Sequence, residues 1–253
     1  MNLDLATATH PGRVRSHNED CIAADADAGV AVLADGMGGH NAGEVASRMA
    51  VELVAANAKA ERDRACGLDA AHWEAVVEAQ IAAANAAIFD AAGGHRQYEG
   101  MGTTLVVALW HDGGVSYGHI GDSRLYLLRN GALEQLTRDH TIVQEQLESG
   151  ALNREQARHA PNRNVLTRAV GIDPKAEPDL GTRPLRSGDV YLLCSDGLTD
   201  MVPDEEIRET LLSCGVRIEL AAQRLIERAN ASGGLDNISV IVARVAGGAK
   251  GDA

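Results

Sequence analysis

The chain has 253 residues, 45% hydrophobic and 23% charged. That is room for a core in one large domain or two small ones, and it excludes repeat arrays, disulfide miniproteins and disordered or collagenous chains. Lys and Arg number 23 against 36 Asp and Glu, a formal charge of −13, which excludes a general binder of nucleic acid or anionic membrane, and a protein this acidic needs bound cations to handle phosphate.

The first segment, through Arg15, lacks the basic and then apolar run of a signal peptide, and no apolar run approaches the roughly 20 residues of a membrane span. Short β-rich runs follow at Leu3 to Thr9, Cys21 to Ala26 and Gly29 to Ala34, spaced as antiparallel strands. Two Ala-rich helices are predicted over Ala42 to Glu61 and Ala70 to Ala91, with Val45, Met49 and Leu53 marking the buried face of the first. A second β block covers Thr103 to Trp110, Val115 to Ile120 and Arg124 to Leu128, and Asn130-Gly131 predicts a type I′ hairpin into Leu133 to Leu136. Residues 140 to 185, with two short helical patterns, a break at Gly150 and prolines that include Pro161, Pro174 and Pro178, read as an irregular insertion. Regular structure resumes with a strand over Asp189 to Cys194, helices near Asp204 to Leu212 and Arg217 to Ala231, and a last strand over Asn237 to Val245, before a frayed tail. The order favours an antiparallel α+β architecture in one domain. Cys21, Cys66, Cys194 and Cys214 are scattered with no CxxC pair, so buried thiols in a reducing, cytoplasmic setting are expected.

The acidic residues fall in a pattern. Glu19-Asp20, Asp35-Gly36, Asp122-Ser123, Asp196-Gly197 and Asp236-Asn237 each stand at the edge of a predicted strand, and one helical turn would bring Asp200 beside Asp196. Each could also be a turn residue, since Asp-Gly, Asp-Ser and Asp-Asn are ordinary turn dipeptides. Against that reading, each adjoins an apolar run that belongs to the core, so rigid strands can aim all of them at one point. Converging carboxylates repel one another in a partly dry site, and an all-oxygen ligand set suits hard divalent ions such as Mg²⁺ and Mn²⁺. Gly36-Met37-Gly38-Gly39 fails as a nucleotide-binding loop, since Asn41 stands where GxGxxG needs Gly and Glu44 where a P-loop needs Lys. These glycines are instead expected to make a sharp turn after Asp35. Arg13, Arg15, Arg124, Arg163 and Arg168 are candidates for a small basic patch.

The segments Arg15 to Asp20, Asp35 to His40, Gly102-Thr103-Thr104, Gly121 to Arg124, Leu136 to His140, Ser195 to Asp200 and Asp236-Asn237 stand in an order and spacing that resembles the metal-dependent protein phosphatase 2C family, most closely its compact bacterial form. The resemblance covers about residues 4 to 245. It implies a central antiparallel β-sandwich flanked by helices on both faces, a four-layer αββα fold over 1–246, with residues 140–185 as the flap and 247–253 as a disordered tail. It implies that Asp35 bridges two Mn²⁺ or Mg²⁺ ions, that the Gly36 carbonyl binds one, that Asp196 and Asp236 complete the other, and that Glu19 and Asp20 hold metal-bound water. Asp122 and Asp200 resemble the pair for a weaker third ion, and Arg15 the arginine that grips the substrate phosphate.

The expected activity is hydrolysis of phosphoserine and phosphothreonine by water activated between two metals, in line and without a covalent phosphoenzyme. The expected partners are phosphorylated proteins and an opposing Ser/Thr kinase, with no nucleic acid or membrane partner and a monomeric chain. A phosphatase of small phosphomonoesters and a non-catalytic phosphoprotein-binding regulator are the alternatives. One departure stands out: animal members carry His directly after the Asp-Gly pair, where this chain has Met37. His40, three residues on, is the candidate general acid, with a metal-bound water or a purely structural loop histidine as the other readings.

Overall fold

Strands apolar on both faces and helices apolar on one can bury their surfaces only by stacking, and here they stack four layers deep. The computed structural model describes residues 2–38, 42–64, 70–158 and 160–246, so Cys66 and the predicted tail at 247–253 lie outside the described residues. In chain order, β1 (Asn2–His10), β2 (Asp20–Asp25) and β3 (Val30–Met37) precede α1 (Ala42–Arg64) and α2 (Ala70–Gly94). Next come β4 (Gly102–Thr103), β5 (Leu105–His111), β6 (Gly114–Ile120), β7 (Arg124–Arg129) and β8 (Ala132–Gln135). The chain closes with α3 (Ile142–Glu148), α4 (Arg154–Arg158), β9 (Asp179–Arg183), β10 (Val190–Cys194), α5 (Asp196–Thr199), α6 (Asp204–Cys214), α7 (Ile218–Ala231) and β11 (Ile238–Ala246).

One sheet runs β1-β11-β10-β7-β8 and the other β2-β3-β5-β6-β9, with β4 beside β3, and every pairing is antiparallel. The two-residue period of a strand divides its side chains between two cores. Val30, Val32 and Ala34 of β3 face α1 and α2, whereas Ala31 and Leu33 face the other sheet. Leu192 and Cys194 of β10 face α6 and α7, while Tyr191 and Leu193 join Trp110, Leu125 and Ile241 between the sheets. This is the expected αββα sandwich. The hairpin at Asn130-Gly131 is also as expected, both residues having positive φ at 52° and 78° and the register closing on Arg129 opposite Ala132.

The structure corrects several expectations. The most buried face of α1 is Ala46, Ala50, Val54 and Ala58, while Val45, Met49 and Leu53 are half-buried on its flank, because alanines let the helix lie close to the sheet. Among the described residues α2 alone is long and apolar enough to cross a membrane, yet it packs Trp73, Val77, Ile81 and Ile88 into the core. On β6, a Cβ at Gly118 would come within 2.7 Å of Val77, so glycine allows that approach. Cys194 and Cys214 are buried thiols, but Cys21 is half-exposed.

The segment 140–185 is not irregular throughout. Its last part, Asp179–Arg183, is an edge strand paired to β6, missed because a five-residue strand with one large apolar residue and a central glycine carries almost no alternation signal. The rest of the flap is tied to the sandwich by a bridge from Val170 to Thr103 and by His140 N donating to the Gly121 carbonyl, and a bridge from Leu166 to Thr141 closes it on itself. Beneath it the His119 and His140 rings stack at 4.6 Å. His119 Nε2 donates to the Arg138 carbonyl at 2.7 Å, His140 Nδ1 accepts from Gly121 N, and Asp179 lies 3.3 Å from His140 Nε2 and 3.0 Å from Arg168. Burial pushes the His140 imidazole down to about 4, so it is neutral at physiological pH. These three residues bring ligand atoms within 4.8 Å of one another. However, near-parallel rings do not aim their nitrogens at one point, and Arg168 already holds the carboxylate; the group fastens the flap.

Candidate active site

In antiparallel sheets the start of one strand lies beside the end of its neighbour, so acidic residues at both kinds of position can gather at one end of the sandwich. Asp20 opens β2 directly opposite Asp35 near the end of β3. Asp196 follows β10 and Asp236 precedes β11, strands that also pair with each other. Two of the connections that cross between the sheets at this end carry candidates: residues 11–19, with Arg15 and Glu19, and residues 121–123, with Asp122. Arg15, Glu19, Asp35, Gly36, Asp122, Asp196 and Asp236 thus line one cleft of about 530 Å³.

Hydrogen bonds fix the backbone around each carboxylate. Asp35 N donates to Thr104 Oγ1 at 3.0 Å, and its carbonyl accepts from Thr104 N at 2.8 Å and Thr103 Oγ1 at 2.8 Å. Thr104 Oγ1 also meets Ser123 Oγ at 2.7 Å, which ties the Asp122 turn to the Asp35 strand. Gly36 does not lie in the sharp turn that the sequence predicts; β3 continues through Met37 and pairs with β4. Glycine is required there by close approach, since a Cβ would sit 2.1 Å from the Gly43 carbonyl at the start of α1 and 2.6 Å from the Glu19 carbonyl. The predicted helical turn is present: Asp196 begins α5 and Asp200 N donates to its carbonyl at 2.8 Å.

The electrostatics suit a site for cations. Asp20 Oδ1 and Asp196 Oδ1 are buried with no hydrogen-bond partner. Burial, reinforced by neighbouring carboxylates, holds Asp35 and Asp196 well above the usual carboxylate range. Burial pushes Asp20 up to about 6, against bonds such as that from Ser195 Oγ at 2.9 Å, and Asp122 up to about 7. Burial also raises Glu19. Acids kept dry, close together and partly unpartnered fit hard divalent cations bound through oxygen. Arg15, about half exposed, donates to Asp236 Oδ2 at 2.7 Å.

Other expected residues sit apart from this cluster. Asp200 lies on the flap side, 3.4 Å from both Arg163 and Asn164. His40 lies outside the described residues. The basic patch does not form: Arg124 makes a bidentate pair with Asp139, and Arg163 and Arg168 are held by Asp200 and Asp179.

Sequence reading gave Asn237 no role of its own, yet it holds the crossing segment in place. Its Oδ1 accepts from Glu19 N at 2.8 Å, and its Nδ2 donates to the Pro11 and His17 carbonyls at 3.0 and 2.8 Å. Its place beside Asp236 was the only sign. Asn237→Ala should cost about 1 to 3 kcal/mol, because it strands three partly buried backbone groups. Urea unfolding should report that loss, and amide exchange should quicken in residues 11–19; unchanged exchange there would refute the clamp.

The fold and cleft together define a class: a four-layer αββα enzyme with an oxygen-lined site for hard divalent cations. The family model for protein phosphatase 2C matches residues 11–225, and the chain belongs to that family. It is 41% identical over 237 residues to the serine/threonine phosphatase stp of Listeria monocytogenes, covering 92% of each chain. The crystal structure of the Mycobacterium tuberculosis serine/threonine phosphatase PstP/Ppp superposes with a TM-score of 0.89 at 41% identity, over 98% of this chain and 100% of that one. A second structure, the catalytic domain of PstP in complex with 2 manganese ions, gives 0.85 at 42% identity, over 97% and 99%.

Proposed function

We propose that this chain is a metal-dependent protein serine/threonine phosphatase that uses two Mn²⁺ or Mg²⁺ ions. The observation that carries the reading is the gathering of Asp20, Asp35, Asp196 and Asp236 at one end of the sandwich, with two buried carboxylate oxygens left unpartnered. Asp35, the Gly36 carbonyl, Asp196 and Asp236 would hold the two ions, Glu19 and Asp20 their water, and Asp122 with Asp200 a third, weaker ion. Bound there, divalent ions supply a water acidic enough to be nucleophilic near neutral pH and withdraw charge from phosphoryl oxygens.

The chain's own residues do the rest. The Thr103 and Thr104 bonds keep the Asp35 backbone still, and Ser195 orients Asp20. Arg15, free to leave an exposed pair with Asp236, grips two phosphoryl oxygens with its planar fork. The cognate substrates would be phosphoproteins opposed by a Ser/Thr kinase, with the enzyme acting as a cytoplasmic monomer. A complete set of metal carboxylates speaks against a non-catalytic binding role.

A metal titration on a phosphothreonine peptide tests class, cofactor and substrate together. Hydrolysis should appear with Mn²⁺ or Mg²⁺ and vanish in EDTA. Activity that persists in chelator would sink the metal assignment, and turnover of small phosphomonoesters alone would favour the metabolite reading.

A further inference from the structure

The catalytic cleft opens into a second groove of about 760 Å³, which shares Asp122, Asn164 and Asp196 with it. Val143 and Leu147 of the flap helix α3 contribute apolar surface on one side, and Met201 and Pro203, between α5 and α6, on the other. The first turn of α6 adds Asp204 and Glu205, whose side chains are 60% and 63% exposed. Among the described residues six carboxylates line the groove against two guanidiniums, and with Asp122, Asp196 and Asp200 given to metal ions, Asp139, Asp204 and Glu205 remain. Arg124 is committed to Asp139 at 2.6 Å and is not free to receive an anion, whereas Arg163 only leans on Asp200 at 3.4 Å. Among the described residues Glu205 pairs only with Arg208 on the same exposed helical turn, a contact that solvent weakens and a competing cation can replace.

A phosphate in the cleft leaves this groove empty, and a small phosphomonoester has nothing to fill it with. Only a chain that continues past the phosphorylated residue reaches it. Its rim repels acidic side chains and attracts basic ones, while α3 and the α5–α6 loop present apolar surface. Resting on the phosphoprotein reading above, we infer that the groove is the docking track for the substrate polypeptide flanking the phosphorylated residue, and that it selects a segment in which a basic residue stands beside an apolar one.

The test compares two phosphothreonine peptides that differ only in their flanks, Arg with Leu against Glu with Ser, by kcat/KM in saturating Mn²⁺. The Arg-Leu peptide should be favoured about tenfold or more, mainly through KM. Glu205→Lys should cut that preference at least about fivefold and Glu205→Gln by less, while hydrolysis of p-nitrophenyl phosphate stays unchanged. Glu227→Lys makes the same charge change on exposed α7, away from the groove. It controls for attraction by the acidic protein as a whole and should leave the preference as it is. Equal rates on the two peptides, or equal effects of the two lysine variants, would overturn the inference while leaving the phosphatase reading intact. Turnover of p-nitrophenyl phosphate with neither peptide cleaved would overturn both.

Discussion

Asp35→Asn is expected to lower phosphatase activity at least about a thousandfold, in keeping with the loss of a central charge-organising group, and to leave the protein folded. Asp35 is hemmed in by other acids: burial, then Asp20, Asp196, Asp122 and Asp236, all disfavour its ionised form. Only a bound cation makes that charge useful, and an amide cannot bridge two cations as a carboxylate does. Its backbone bonds to Thr103 and Thr104 do not involve the carboxylate, so the strand survives the change. Metal-free Asp35→Asn should melt no lower than the parent, because it removes a group whose charge the fold resists. Circular-dichroism melts beside kcat measurements check both halves. Residual activity above about a tenth of the parent would remove Asp35 from the centre of the chemistry.

The second large effect is a reversal of pH dependence on metal binding. In the metal-free protein Asp35 and Asp196 are held well above the usual range, Asp20 near 6 and Asp122 near 7. Folded carboxylates with raised pKa keep protons that the unfolded chain has lost. Their stabilisation is therefore complete below the ordinary carboxylate value of about 4 and fades as pH rises through the shifted values. The chelated protein should melt at a lower temperature at pH 8 than at pH 5.5. Mn²⁺ binds the ionised carboxylates, so its stabilisation should grow over the same interval. At about 100 times Kd it amounts to about 2.7 kcal/mol, or about 5 to 10 °C in a chain of this size. A Mn²⁺ increment at pH 5.5 equal to that at pH 8 would show that these acids are not the ligands.

Much of the fold was legible in the sequence for a definite reason. The core strands are short and apolar, the helices long and rich in alanine, and Asn130-Gly131 specifies its hairpin almost alone. What escaped was weakly patterned. The edge strand Asp179–Arg183 has one large apolar residue, and the buried face of α1 is alanine rather than its bulkier neighbours. The run through Asp35-Gly36 resembled a turn because Asp-Gly usually is one, whereas here it continues a strand.

For the site the division is sharper. By itself the sequence determined which residue types are available and which strand edges they occupy, and their order and spacing carried the family resemblance. Residue identity and local pattern are properties of neighbours along the chain. Only the tertiary structure decided that Asp20 and Asp35 stand opposite each other, that Asn237 clamps Glu19 from 218 positions away, and that the candidate arginines are divided among separate carboxylates. It also decided that Gly36 is required by the backbone of Gly43 rather than by a turn. Each of these depends on a distance between segments far apart in sequence, set when two sheets and their helices bury three cores at once.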